Sequence, residues 1–312
     1  MEKKIMLAID DSKDSTEAID YAVRMSSNIR NLHYGLFHIQ PMISLYIQDE
    51  ARESPAARSE HAKILKKNEK KAQGLLNGCK NKMVKMGIDE NRIEVFTYPR
   101  KFGVAKDIIN FAQERQYDAI VIGRRGLSKI QEMIMGSVTA ELLEHSRTIP
   151  VWVVDGKISS DKILVAVDNS EYSLRAVDHV SFMAGDNKTT HMTFYHIKPK
   201  GADMSQVEFD EKESAELEKL VARDIDKYIN EFHEKAVRKL KEAGIDGDRY
   251  EIQVAETVRN VGKAIVAKAS QEDFGTIVIG RSGMNRSFFM GSVSRYVINR
   301  AMNRALWVIS RI

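Results

Sequence analysis

The chain repeats itself, and that constrains its fold more than any other feature. Ile5-Met6-Leu7-Ala8-Ile9-Asp10-Asp11-Ser12 returns as Ile163-Leu164-Val165-Ala166-Val167-Asp168-Asn169-Ser170. His38-Ile39-Gln40-Pro41 returns as His196-Ile197-Lys198-Pro199, and Ile120-Val121-Ile122-Gly123-Arg124-Arg125-Gly126 as Ile277-Val278-Ile279-Gly280-Arg281-Ser282-Gly283. Gly136-Ser137-Val138 and Trp152-Val153-Val154 recur as Gly291-Ser292-Val293 and Trp307-Val308-Ile309. Five matches in the same order set a period near half of the 312 residues. That period is far longer than a solenoid unit, so each copy is a whole domain. Domains are expected at 1–155 and 162–312, joined by a short polar linker, 156–161, that contains Gly156.

Each copy alternates strand and helix patterns. Apolar runs at Ile5–Ile9 and Ile163–Val167 read as buried strands. Each is followed by a polar turn in which Ser12 or Asp14, and Ser170, stand where a helix cap belongs. Second strands are expected at Leu32–Ile39 and Met192–Ile197, third at Ile93–Thr97 and Tyr250–Val254, fourth at Ala119–Ile122 and Thr276–Ile279, and last at Val151–Val154 and Leu306–Ile309. Tyr46–Ser59, polar and containing Pro55, reads as a loop able to close over a site. A long amphipathic helix follows, with Leu65, Ala72, Leu76, Cys79, Met83 and Met86 on its apolar stripe. In copy two the stripe is Leu217, Val221, Ile225, Tyr228 and Phe232. Alternating strands and helices imply an α/β, doubly wound fold: two tandem domains, each a five-stranded, mostly parallel sheet covered on both faces. Such sheets bind ligands beyond the carboxyl ends of their strands, where strand order reverses.

Composition narrows the function. Apolar residues are 43% and charged residues 29% of the chain, which is ordinary for a globular protein with a sizeable core. A net charge of +4 is too small to argue for a dedicated nucleic-acid protein. The lysines between Lys63 and Lys85 read as a solvated helix face. The one cysteine, Cys79, excludes an internal disulfide and a cysteine-built zinc site. With no apolar run long enough to span a membrane and no secretory signal, the expected location is cytoplasmic.

The strand ends carry the chemistry. Strand four runs into Gly123-Arg124-Arg125-Gly126; residues 127–135 follow, and then Gly136-Ser137-Val138-Thr139 opens a helix. Glycines let backbone approach a ligand, and a helix start offers unpaired amides to a phosphate. Ser137 and Thr139 add hydroxyls. Asp10, at the end of strand one, is placed to accept from a ribose hydroxyl or a base amine. A plain turn and helix cap use the same residues singly; recurrence of the whole set favours a nucleotide. No Gly-x4-Gly-Lys-Ser/Thr or Gly-x-Gly-x-x-Gly sequence is present. His38 and His196 read as structural histidines, and no histidine–carboxylate spacing reads as a metal site.

Ala-x-Asp-x-Ser at strand one, with Gly-x-x-Gly, nine residues and Gly-Ser, resembles the universal stress protein family, and two copies resemble its tandem members. The resemblance implies an adenine nucleotide alpha hydrolase-like fold and, in many members, bound ATP. Carried over by position, it implies cofactor-binding roles for Asp10, Gly123, Gly126, Gly136, Ser137, Val138 and Thr139. Arg124 and Arg125, between the first two glycines, could meet phosphate, although a solvated face is the commoner fate of loop arginines; Arg124 is taken as a candidate. In copy two the matching positions are Asp168, Gly280, Gly283, Gly291, Ser292, Val293 and Ser294. Magnesium would arrive through the phosphates.

Copy two departs from copy one: seven residues, 284–290, separate Gly283 from Gly291, and Phe288, Phe289 and Met290 crowd that segment. Its site is therefore expected to bind more weakly or more selectively. No general base, activated nucleophile or metal cage is evident, so fast catalysis is not expected. A nucleotide-binding regulator acting through unidentified protein partners, and not through nucleic acid or membrane, is the leading expectation; a nucleotide-independent scaffold and a slow ATP-hydrolysing or adenylating enzyme are the rivals. The last strands are expected to meet edge to edge in an internal pseudo-dimer, with a further homodimer open.

Overall fold

The protein is described here by a computed structural model covering residues 2–126, 135–187, 190–198, 214–256, 260–282 and 290–310. It divides at Lys157 and Ile158 into two compact units.

In unit 1 the strands are β1 (Lys3–Ala8), β2 (Leu32–Gln40), β3 (Ile93–Pro99), β4 (Ala119–Gly123) and β5 (Val151–Val154). They lie in the order β3-β2-β1-β4-β5, every neighbouring pair parallel. The register pairs Ile5 with Tyr34 on one side and with Ala119 on the other. Ile5, Met6 and Leu7 are fully buried, as are Val121 and Trp152. Burial of each such side chain contributes about 1.5–3 kcal/mol, and burial on both faces is why these strands read as unbroken apolar runs.

The helices are α1 (Lys13–Met25), α2 (Leu45–Glu53), α3 (Pro55–Lys85), α4 (Val104–Glu114) and α5 (Ser137–His145). Helix α1 packs on α3, and α4 on α5. Ser12 caps α1, its side chain accepting from Ser15 N at 3.1 Å. Gly87, at φ +97°, ends α3 in the left-handed conformation that a side chain resists.

Two expectations change here. Residues 46–59, expected as a loop, are helical: α2 covers Leu45–Glu53, and Ser54 then caps α3 with Pro55 in its first turn. Proline there is a helix starter rather than a breaker, because its missing N–H is one that a first turn leaves unbonded anyway. The stripe of α3 is also narrower than its period indicates. Ala72, Leu76 and Met83 are buried, Cys79 is half-buried with its thiol pKa raised by burial, and Met86 is exposed at the C-cap. The face expected to be solvated is so at Lys63, Lys66, Lys67, Lys70, Lys71 and Lys85.

Unit 2 repeats the plan with β6 (Ile163–Val167), β7 (Met192–Ile197), β8 (Tyr250–Ala255), β9 (Thr276–Gly280) and β10 (Ala305–Ile309), in the order β8-β7-β6-β9-β10. All four pairings are parallel. Its helices are α6 (Glu171–Ala184), α7 (Ser214–Glu242), α8 (Val261–Gln271) and α9 (Ser292–Arg300). Ser170 caps α6 through Ser173 N. Among the described side chains of α7, Ile229, Phe232, Ala236 and Leu240 are buried, while Tyr228 is 60% exposed and does not belong to the stripe. A tyrosine tolerates either side of such a boundary because its ring is apolar and its tip polar. The side chains of Leu217, Val221 and Ile225 lie outside those described. Among the described residues, no helix is long and apolar enough to cross a membrane.

Candidate functional site

In the order β3-β2-β1-β4-β5 the direction of winding reverses between β1 and β4. A cleft of about 350 Å³ opens at the carboxyl ends of those strands, within the roughly 300–1,000 Å³ usual for small-molecule sites. Asp10, Gly123, Gly126, Gly136, Ser137, Val138 and Thr139 all line it. Six of these come from β4, α5 and the turns beside them, brought to Asp10 by the pairing of β1 with β4.

Asp10 is held by its own turn. Its Oδ1 accepts from Ser12 N at 3.1 Å and from Ser15 Oγ at 2.6 Å, and its N donates to Ser15 Oγ at 3.0 Å. Its other oxygen faces Gly126, where a Cβ would come within 2.8 Å. At Gly123 a Cβ would come within 2.7 Å of the Asp14 carbonyl carbon. Close approach demands glycine at 123, where the α1 backbone leaves no room, while at Gly126 an added Cβ would press on the Asp10 carboxylate.

Among the described residues, no side chain caps the start of helix α5. Gly136 is its N-cap, its N donating to Arg124 O at 2.9 Å, and its carbonyl accepts from Ala140 N. The first-turn amides of Ser137, Val138 and Thr139 thus open toward the cleft with the positive end of the helix dipole. The Ser137 side chain is exposed. The Thr139 hydroxyl is not a free donor: it is buried and bonds Gly123 O at 2.9 Å, tying the helix start to the strand end.

The two arginines of the turn part ways. Arg124, expected at the ligand, is fully buried and does not line the cleft. Its N donates to Val154 O at 2.8 Å, extending the β4–β5 ladder, and its Nε lies 4.0 Å from Asp155 Oδ1. Burial lowers its pKa, against the opposing charge of Asp155. Arg125 lines the cleft instead. Its N and Nε both donate to Asp14 Oδ2, at 2.9 and 3.1 Å, and Nη2 donates to Asp155 Oδ1 at 3.0 Å. Burial opposes its charge, but the hydrogen bond and charge of Asp14 outweigh this and raise its pKa.

The far wall was not legible in the motifs. Gln40, Met42, Arg100, Val104 and Ile108 line the cleft at the β2 and β3 end. The turn after β3 is held by Asp107, whose carboxylate accepts from Lys101, Phe102 and Gly103 N. Strand-end position was the available signal for Arg100. His38, expected as structural, bonds Ile9 O through Nδ1 at 2.7 Å and also lines the cleft.

Unit 2 reproduces part of this. Asp168 Oδ1 accepts from Ser170 N at 2.9 Å and from Ser173 Oγ at 2.6 Å. Gly291 N donates to Arg281 O at 3.0 Å, and Ser294 Oγ to Gly280 O at 2.7 Å. Ser292 and Val293 are exposed at the start of α9. Gly283, Phe288 and Phe289 lie outside the described residues. His196 differs from its counterpart His38: it is buried, with Nδ1 3.2 Å from His233 Nε2 on α7.

The sequence model of the universal stress protein family matches residues 1–155 and again 159–304. The chain belongs to the universal stress protein family. Universal stress protein YxiE of Bacillus subtilis (strain 168) is 31% identical over 164 residues, covering 49% of this chain and 99% of that one. A universal stress protein of Mycolicibacterium smegmatis is 25% identical over 198 residues, 62% of this chain and 63% of that one. Among solved structures, a universal stress protein from Archaeoglobus fulgidus DSM 4304 matches with a TM-score of 0.66 and 20% identity, over 99% of this chain and 98% of that one. The double match of the family model gives this chain two universal stress protein repeats.

Proposed function

We propose that unit 1 binds an adenine nucleotide, ATP foremost, and that the protein is a stress-response regulator whose partner contacts depend on the bound nucleotide. The observation that carries this is the uncapped start of α5 facing the same cleft as Asp10, with Gly126 lying close against that carboxylate. The amides of Ser137, Val138 and Thr139, with the Ser137 hydroxyl, would hold phosphates. Asp10 would accept from the ribose. The apolar wall of Met42, Val104 and Ile108 would take the base. Magnesium would come with the phosphates, which usually supply much of its coordination.

The reading is one of binding rather than turnover. The Ser15 hydroxyl is committed to Asp10 and that of Thr139 to Gly123. Unit 2 is proposed as a weaker second site, built on Asp168, Gly280, Gly291, Ser292 and Val293.

The test is to denature the purified protein, remove the chain, and count released nucleotides by mass spectrometry. About one ATP per chain supports the reading. Two per chain would show that the second site is equivalent. None, with no uptake of added ATP and magnesium, would reduce the glycine turns to structure.

A further inference from the structure

Arg125 sits between the two glycines of the turn, yet its N, Nε and Nη2 are directed at carboxylates of its own unit. One oxygen of Asp14 receives both its main-chain N and its Nε, at 2.9 and 3.1 Å. One oxygen of Asp155 receives Nη2 at 3.0 Å. Asp14 stands in the first turn of α1, Asp155 directly after β5, and Arg125 two residues after β4. Three elements are thereby fastened around one guanidinium, whose planar fork can hold two partners in fixed directions. Asp14 is 9% exposed and Asp155 is 2% exposed, so both carboxylates are buried, while the Arg125 side chain, 29% exposed, borders the cleft.

The same three positions differ in the second repeat. Asp14 corresponds to Tyr172, four residues beyond Asp168 just as Asp14 is four beyond Asp10. Arg125 corresponds to Ser282, and Asp155 to Ser310, which follows Trp307-Val308-Ile309. A fold that needed this brace merely to close its sheet would need it in both units. Unit 2 makes the same five-stranded sheet without it.

We infer that Arg125 serves nucleotide binding in unit 1 at one remove: with Asp14 and Asp155 it braces the Gly123–Gly126 turn, so that the start of α5 is held ready for phosphates. It is a positioning residue and not a phosphate ligand. This rests on the nucleotide reading above. It also gives a chemical reason for inequality of the two sites, separate from the shorter loop of the second repeat.

The experiment uses the full chain and two variants, Asp14→Asn and Arg125→Lys. Asparagine keeps the shape of Asp14 but removes its charge; lysine keeps the charge of Arg125 but cannot make the forked contact. ATP with magnesium and adenosine are each titrated by calorimetry, and amide hydrogen exchange is followed without nucleotide. The expected result is ATP affinity at least about tenfold weaker in both variants, adenosine affinity within about twofold of the parent, and faster exchange at the Arg125 amide. General loss of structure would weaken adenosine equally, and that outcome would overturn the positioning role. If Arg125 were itself a ligand held back by Asp14, Asp14→Asn would bind ATP more tightly, which also overturns it. Unchanged exchange at Arg125 overturns the brace whether or not ATP binds. A parent chain that takes up no ATP defeats the nucleotide reading, and with it the service to phosphates; the exchange data then still decide whether Asp14 holds the turn.

Discussion

The hydroxyl of Thr139 donates to the carbonyl oxygen of Gly123 at 2.9 Å, and Ser294 makes the equivalent bond to Gly280 at 2.7 Å. Both units thus use a first-turn hydroxyl to fasten a helix to the end of a strand. Replacing Thr139 with Val keeps its volume and removes this bond. The expected cost is about 1 kcal/mol of stability, read as a lower urea midpoint. Thr139→Ser restores the midpoint.

Gly123 and Gly126 answer to different neighbours. Alanine at Gly123 would drive its Cβ to 2.7 Å from the backbone and Cβ of Asp14. Overpacking of that kind costs about 1–3 kcal/mol, and Gly123→Ala should be measurably less stable in denaturant. At Gly126 the obstacle is the Asp10 carboxylate, 2.8 Å away, in a cleft. Gly126→Ala should leave the unfolding midpoint nearly unchanged and weaken ATP in calorimetry by at least about tenfold.

Unit 2 should be sensitive to mild acid. Burial first, then the neighbouring charge of His233, pull the His196 pKa from 6.5 down to about 4. Burial alone pulls His179 from 6.5 to about 3. A depressed folded-state pKa means that the unfolded chain binds the proton more readily. Stability is therefore full above pH 6.5 and falls as pH drops toward 4, with each histidine contributing about 1.4 kcal/mol per pH unit. Trp307 packs edge-on against His179 and reports this unit. In a Trp152→Phe background its fluorescence melt should fall steeply between pH 6.5 and 4. His196→Gln should remove one proton's share of that slope; an unchanged slope would contradict the assignment.

Asp107 holds the chain that enters α4. The N-cap of α4, Gly103, has no side chain to accept from the first turn, and Asp107 instead receives Lys101, Phe102 and Gly103 N. Asp107→Ala should cost about 1–2 kcal/mol, on the scale of a lost helix cap. Amide exchange at 101–103 should accelerate, and with it the mobility of Arg100 at the cleft mouth.

Much of this was readable from residues in a row. The repeat, the buried strands and the placing of Asp10 and Gly123 at strand ends follow from composition and period, because each depends on local pattern. Met192–Ile197 and Val151–Val154 have the bounds that their apolar runs indicate. Where the reading missed, a neighbour from elsewhere intervened. Residues 46–59 looked polar enough for a loop, but Leu, Gln, Glu, Ala and Arg in α2 are good helix formers, and Ala51 is buried where α2 packs against α3. Tyr228 matched the helical period of α7 and yet faces solvent, one position from the buried Ile229.

The arginines show the division most directly. That two guanidinium groups follow β4, between two glycines, is plain from residue order alone. Residue order did not determine which one would see the cleft. The β4–β5 ladder continues through the Arg124 amide, so that side chain goes inward beside Asp155. The next residue, where the ladder stops, turns out to Asp14, which is 111 residues away along the chain. Side chains alternate along a strand, so a shift of one residue in where pairing ends exchanges inside for outside. Pairing is a property of the neighbouring strand, and only the assembled sheet supplies it.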